Sequence, residues 1–107
     1  VMFTSSYNKG FHMDLPNGVH VSVQWGPGNY CSKRYAGSER LDTYMEPLAH
    51  TKWSSKTAEV MAWTDENQRG IRVDGVEYDS DDVVIGHLDV TQVIDFINKA
   101  SEMFNRE

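Results

Sequence analysis

A chain of 107 residues has room for one hydrophobic core and one domain. Its hydrophobic fraction of 39% fits a folded globular domain, and its net charge of −6 argues against a duplex-binding protein, which needs a basic surplus to neutralise phosphates. No apolar run approaches the roughly 18–20 residues of a membrane span, no secretory leader is expected from the opening VMFTSSYNKGF, and a single cysteine excludes an internal disulfide and points to a reducing, cytoplasmic setting.

The first clear element is FHMDLPNGVHVSVQW, residues 11–25. Phe11, Met13 and Leu15 alternate with His12 and Asp14, and Val19, Val21, Val23 and Trp25 alternate with His20, Ser22 and Gln24. Period-two alternation on both sides of Pro16-Asn17-Gly18 predicts a β-hairpin. A two-residue Asn-Gly loop would set each strand's apolar residues against polar ones. A three-residue loop pairs Leu15 with Val19, Met13 with Val21 and Phe11 with Val23, and keeps one face apolar. Pro16 suits the first corner of a type I turn and Gly18 the left-handed residue after it, so the three-residue loop is expected. The opposite face then gathers His12, Asp14, His20, Ser22 and Gln24, with His20 directly across from Asp14. Two histidines and an aspartate can ligate a metal, but no third strong ligand has a defined place beside them. A solvated polar face with one His–Asp hydrogen bond is the expectation, with no metal site.

Gln24 to Tyr35, QWGPGNYCSKRY, is the best site candidate in the chain. Gly26-Pro27-Gly28 ends the strand and Trp25 continues its apolar face. Trp25, Tyr30, Arg34 and Tyr35 are residue types that dominate interface energy, and Asn29 and Lys33 complete the set. The stretch matches neither GxxxxGK[ST] nor GxGxxG, so it is no phosphate loop. Cys31 has Lys33 and Arg34 near it in sequence, but nothing places a base such as His50 beside it, and an incidental thiol is the simpler reading. From about 26 to 56 the chain forms a long loop or partly helical insertion. Leu41, Tyr44, Met45 and Leu48 have helical spacing after a possible Ser38 cap, and Pro47 limits them to a short turn. Lys33, Arg34, Arg40, Lys52 and Lys56 make this half the basic one. Residues 1–56 carry six Lys and Arg against four Asp and Glu, and residues 57–107 carry four against twelve.

TAEVMAWT, residues 57–64, is apolar on both faces and predicts a central strand. After a polar turn come three short strand-like pieces, at 71–73, 76–78 and 83–88, the first two joined by the hairpin signal Asp74-Gly75. YDSDD, residues 78–82, lacks the glycine and distal glutamate of a calcium loop. Asp79, Asp81 and Asp82, with Asp65, Glu66, Asp74 and Glu77, instead offer an acidic face for a basic partner. In the last segment Val90, Val93, Ile94, Ile97, Ser101 and Phe104 fall on one helical stripe, widened by Phe96 and Met103. Asp89 and Gln92 have capping-box spacing, with Thr91 as an alternative cap. The whole predicts an α+β fold: a small antiparallel sheet that opens with a hairpin, and one C-terminal helix packed on one face.

GFHMDLPNGVHVSVQWGPGNYC, SSKTAEVMAW and VIGHLDVTQVIDFI together resemble a group of small proteins encoded by tailed bacteriophages. The shared pattern is an opening hairpin, a GxxNYC loop, an AEV strand and a closing helix. The resemblance carries no activity and no catalytic residue. It implies a protein of the cytoplasm of an infected bacterium, and small phage accessory proteins commonly bind a host component, as anti-CRISPR and other anti-defence proteins do. No catalytic constellation, cofactor motif or metal-ligand spacing is present. The expectation is therefore a non-enzymatic protein that binds and modulates a host protein or complex. The alternative is a small-ligand or nucleotide binder, with Trp25, Tyr30 and Tyr35 stacking on a base and Lys33 and Arg34 meeting a phosphate.

Overall fold

The computed structural model describes residues 2–5, 9–25 and 55–104. The turn expected around Leu41 to Leu48, and nearly all of the 26–56 insertion, lie outside them. Among the described residues five strands form one antiparallel sheet in chain order: β1 (Met2–Ser5), β2 (Gly10–Asp14), β3 (Val19–Gln24), β4 (Ala58–Thr64) and β5 (Val84–Leu88). The helix α1 (Val90–Glu102) crosses one face, so the fold is α+β in two layers. No described helix is long and apolar enough to cross a membrane.

The β2–β3 hairpin has the expected register, Phe11 opposite Val23, Met13 opposite Val21 and Asp14 opposite His20. The Gly18 amide donates to the Leu15 carbonyl at 3.1 Å and the Leu15 amide to the Val19 carbonyl at 2.9 Å. Gly18 has φ +87°, the left-handed residue that a three-residue loop after a type I turn requires. Asn17 does more than turn the chain. Its Nδ2 donates to the carbonyls of Ala100 at 2.9 Å and Met103 at 2.8 Å, and its Oδ1 accepts from the Val19 amide. The last carbonyls of a helix have no partner within it, and here a hairpin turn supplies one.

The sheet opens one strand earlier than the sequence suggests. β1 pairs with β2 through Met2–Asp14, Phe3–Met13, Thr4–His12 and Ser5–Phe11. All four of its residues are exposed, and so short an edge strand carries no alternation long enough to read. β4 is central as expected, between β3 and β5. The pieces at 71–73 and 76–78 are not strands. Ile71 makes a single bridge to Ala62, and Asp74-Gly75 forms a turn that joins no hairpin. The Val73 amide donates to the Tyr78 hydroxyl at 2.8 Å, and the Arg72 guanidinium lies 4.7 Å over the Tyr78 ring. A side chain thus takes the bond that a strand ladder would have made, and burial pushes the Tyr78 hydroxyl pKa up.

β5 shifts register against β4 between Ala58 and Val60, so that Ala58 faces Leu88 while Val60 faces Ile85. His87, at φ 59°, occupies the left-handed region inside this bulge. The extra residue turns Leu88 back to the core side three positions after Ile85, which strict alternation would forbid. The core lies between sheet and helix: Val19, Val21 and Val23 from β3, Ala58, Val60 and Ala62 from β4, Ile85, and Phe96, Ala100 and Met103 from the helical end. Asp89 caps α1, accepting from the Gln92 amide at 2.8 Å while the Gln92 side chain accepts from the Asp89 amide at 2.9 Å. The expected stripe is rotated. Phe96 and Ala100 are at its buried centre, Val93 and Ile97 flank them, and Val90, Ile94 and Phe104 face outward.

Candidate functional site

Two features of the described residues could do more than hold the fold. The first is a groove of about 500 Å³ where the ends of β3 and β5 and the starts of β2 and β4 meet the first turns of α1. Phe11, Val23, Trp25, Leu88, Val93 and Ile97 line it, and Val90 and Ile94 form its outer lip. Those two helix residues remain 69% and 54% exposed, unusual for branched apolar side chains placed together. Trp25 sits edge-on to Phe11, ring centroids 6.5 Å apart at 75°, and its amide donates to the Lys9 carbonyl at 2.7 Å. It therefore continues the apolar face of β3, as its alternation implies.

The second feature lies on the sheet face that α1 leaves uncovered. His20 stands there between two carboxylates, Nδ1 2.7 Å from Asp14 Oδ1 and Nε2 2.9 Å from Asp65 Oδ1. Its ring stacks on Trp63, centroids 5.4 Å apart at 22°, and His12 meets the same indole edge-on at 5.7 Å. The hydrogen bond to Asp14 is the largest cause that raises the His20 pKa above its ordinary value, with Asp65 adding to it against some desolvation. Reciprocally, the hydrogen bond from His20 lowers the Asp14 pKa. Among the described residues no group of three or more His, Cys, Asp or Glu is placed to hold a metal ion.

Of the residues singled out in the sequence, only part falls here. Trp25 lines the groove. Asn29, Tyr30, Lys33, Arg34 and Tyr35 lie outside the described residues, as do Cys31 and His50. Asp79, Asp81 and Asp82 are exposed on the loop that precedes β5. Asp82 also has a local duty, because its Oδ1 accepts the Val83 and Val84 amides at 2.7 and 3.3 Å. Asp65 was not foreseen as a partner of His20. The signal was available in principle: Glu59, Met61, Trp63 and Asp65 alternate onto one side of β4, and β4 lies beside β3. Val90 and Ile94 share the helical stripe of the core residues, so periodicity alone does not mark them as the lip of the groove.

Comparison of the chain with protein-family models, with curated proteins and with solved structures gives no match.

Proposed function

We propose that this chain is a non-enzymatic binding protein that engages apolar side chains of a host protein whose basic residues steer the encounter. The observation that carries this reading is the groove at the start of α1, with Val90 and Ile94 held outward on its lip and Phe11 and Trp25 inside it. Apolar and aromatic anchors in a recess are what concentrate binding energy in protein interfaces. The basic character of the partner follows from charge. Asp65, Glu66, Asp74, Glu77, Asp79, Asp81 and Asp82 are all exposed, and a field of one sign steers an oppositely charged partner into encounter. The phage resemblance supplies the setting, the cytoplasm of an infected bacterium, and the mode of action, modulation or inhibition of a host complex.

The test is capture from lysate of the relevant host, followed by identification and direct titration with the purified partner. Val90→Asp and Ile94→Asp, both on the outer helix surface, are expected to leave the fold intact and to weaken binding by about tenfold or more. Binding should also weaken with added salt. A partner bound equally well by both variants would overturn the groove as the docking site. A second reading rests on Trp25 beside Lys56 in the same groove, which suits a planar anionic ligand such as a nucleotide. A nucleotide that raises the melting temperature, with the rise lost in Trp25→Ala, would favour it.

A further inference from the structure

His20 uses both of its ring nitrogens on carboxylates, one from β2 and one from the turn after β4. A neutral imidazole carries one N–H and one lone pair. It can serve one of these oxygens, but its other nitrogen would then face a carboxylate lone pair across less than 3 Å. The arrangement is satisfied on both sides only by an imidazolium, which donates twice. Trp63 stacks on the ring at 22° and favours the plane in which both nitrogens meet their carboxylates.

The groups around the ring come from every neighbouring segment. Asp14 and His12 approach from β2, Trp63 from β4, and Asp65 from the turn, with exposed Glu66 following it. From β1, Met2 and Thr4 pair with Asp14 and His12 and bring no charged side chain, while the N-terminal ammonium ahead of β1 favours the Asp14 carboxylate from a distance. The two carboxylate partners are unequal. The Asp65 side chain is 89% exposed and that of Asp14 28%, so water readily replaces His20 at Asp65 and less readily at Asp14.

We infer that His20 is a proton-operated clasp: as the imidazolium it ties the turn at 65–70 to the β2–β3 hairpin, and loss of the Nε2 proton to solvent releases Asp65 while the Asp14 bond stays. Release leaves the turn closed by its own bonds, Thr64 with Asn67 and the Gly70 amide on the Asn67 carbonyl, but no longer fastened to β3. It also makes this end of the molecule more negative by one charge, where Asp65 and Glu66 stand in solvent. The clasp is thus a way for proton concentration to alter the acidic surface without unfolding the sheet.

The experiment is nitrogen-resolved NMR of the histidine rings, with amide hydrogen exchange, on the whole chain from pH 5 to 9. At pH 6.5 both His20 nitrogens should carry protons, and the titration midpoint should lie above 6.5. The amides of Asn67 and Gly70, which the turn's own bonds hold, should lose protection by about threefold or more as the unfastened turn opens more often, beyond the base-catalysed rise and with that same midpoint. Asp65→Ala removes the hydrogen-bonding carboxylate at an exposed position, so the fold is retained. In it, turn protection should sit at the released level at every pH and the His20 midpoint should fall. A single N–H on His20 at pH 6.5 would overturn the clasp. So would a doubly protonated ring whose titration leaves the turn amides unchanged.

Discussion

The two faces of the sheet are made by the same strands, residue by residue in alternation, and they do different things. The face under α1 is built from Val, Ala and Ile and closed by Phe96, with no charged side chain among the described residues of its core. The open face carries His12, Asp14, His20 and Trp63, half-buried and bonded to one another rather than to the core. Stability is concentrated on the first face, where apolar burial needs no particular partner geometry. Sensitivity to conditions is concentrated on the second, where each contact depends on a proton or an angle.

The sharpest way to break this contrast is Phe96→Ala, which removes the largest fully buried side chain among the described residues. It is expected to cost about 3–5 kcal/mol, read from chemical denaturation. A cost below about 1 kcal/mol would mean that the helix face is not the main store of stability. Next comes the seam between hairpin and helix. Asn17→Ala removes both donors to the Ala100 and Met103 carbonyls and should cost about 1–3 kcal/mol. Asn17→Asp should be worse than Ala, since it sets a carboxylate against the negative end of the helix.

On the open face the expected effects are smaller and carry a pH signature. The His20 pKa is raised, so the stability it contributes is fully present below its ordinary 6.5 and is lost as pH rises through the higher folded value. The Asp14 pKa is lowered, so its contribution is present above its ordinary 3.8 and is lost as pH falls through the lower folded value. The melting temperature attributable to this cluster should therefore be highest between those limits and decline from pH 6.5 towards 9. His20→Gln should flatten the alkaline limb, and an equally steep limb in that variant would locate the dependence elsewhere. The smallest effect belongs to β5. His87→Gly relieves a left-handed backbone at an exposed position, and should raise stability by up to about 1 kcal/mol in a thermal melt.

How far the sequence discloses this molecule depends on the range of the interactions. The β2–β3 register was readable because turn chemistry and alternation act within fifteen residues and agree with each other. The capping box of α1 was readable for the same reason. β1 was not, since four exposed residues at an edge bury no patterned surface. The 71–78 region misled because its Ile71, Val73 and Tyr78 pack on the core, with the Val73 amide on the Tyr78 hydroxyl and Arg72 over the Tyr78 ring, instead of building a ladder. The rotation of the helix stripe depends on how α1 seats over β3, β4 and β5, which no local period encodes. The site divides likewise. The Asp14–His20 pair was legible through its hairpin, whereas Asp65 reaches His20 from 45 positions away.

The grip of Asn17 on the end of α1 has a bearing on how the chain reaches this shape. Its two partners lie 83 and 86 residues downstream. A helix of 13 residues is marginal in water by itself. The apolar side of β3 and β4 must therefore wait for distant chain to arrive before it is covered. Closing so wide a loop is an entropic toll on the folding barrier, and it grows only as the logarithm of the span. Two consequences follow for refolding experiments. Asn17→Ala should accelerate unfolding more than it retards folding if the hairpin forms first and the helix docks last. The exposed valines of the waiting sheet would make aggregation, rather than slow chemistry, the main competitor to refolding at high concentration.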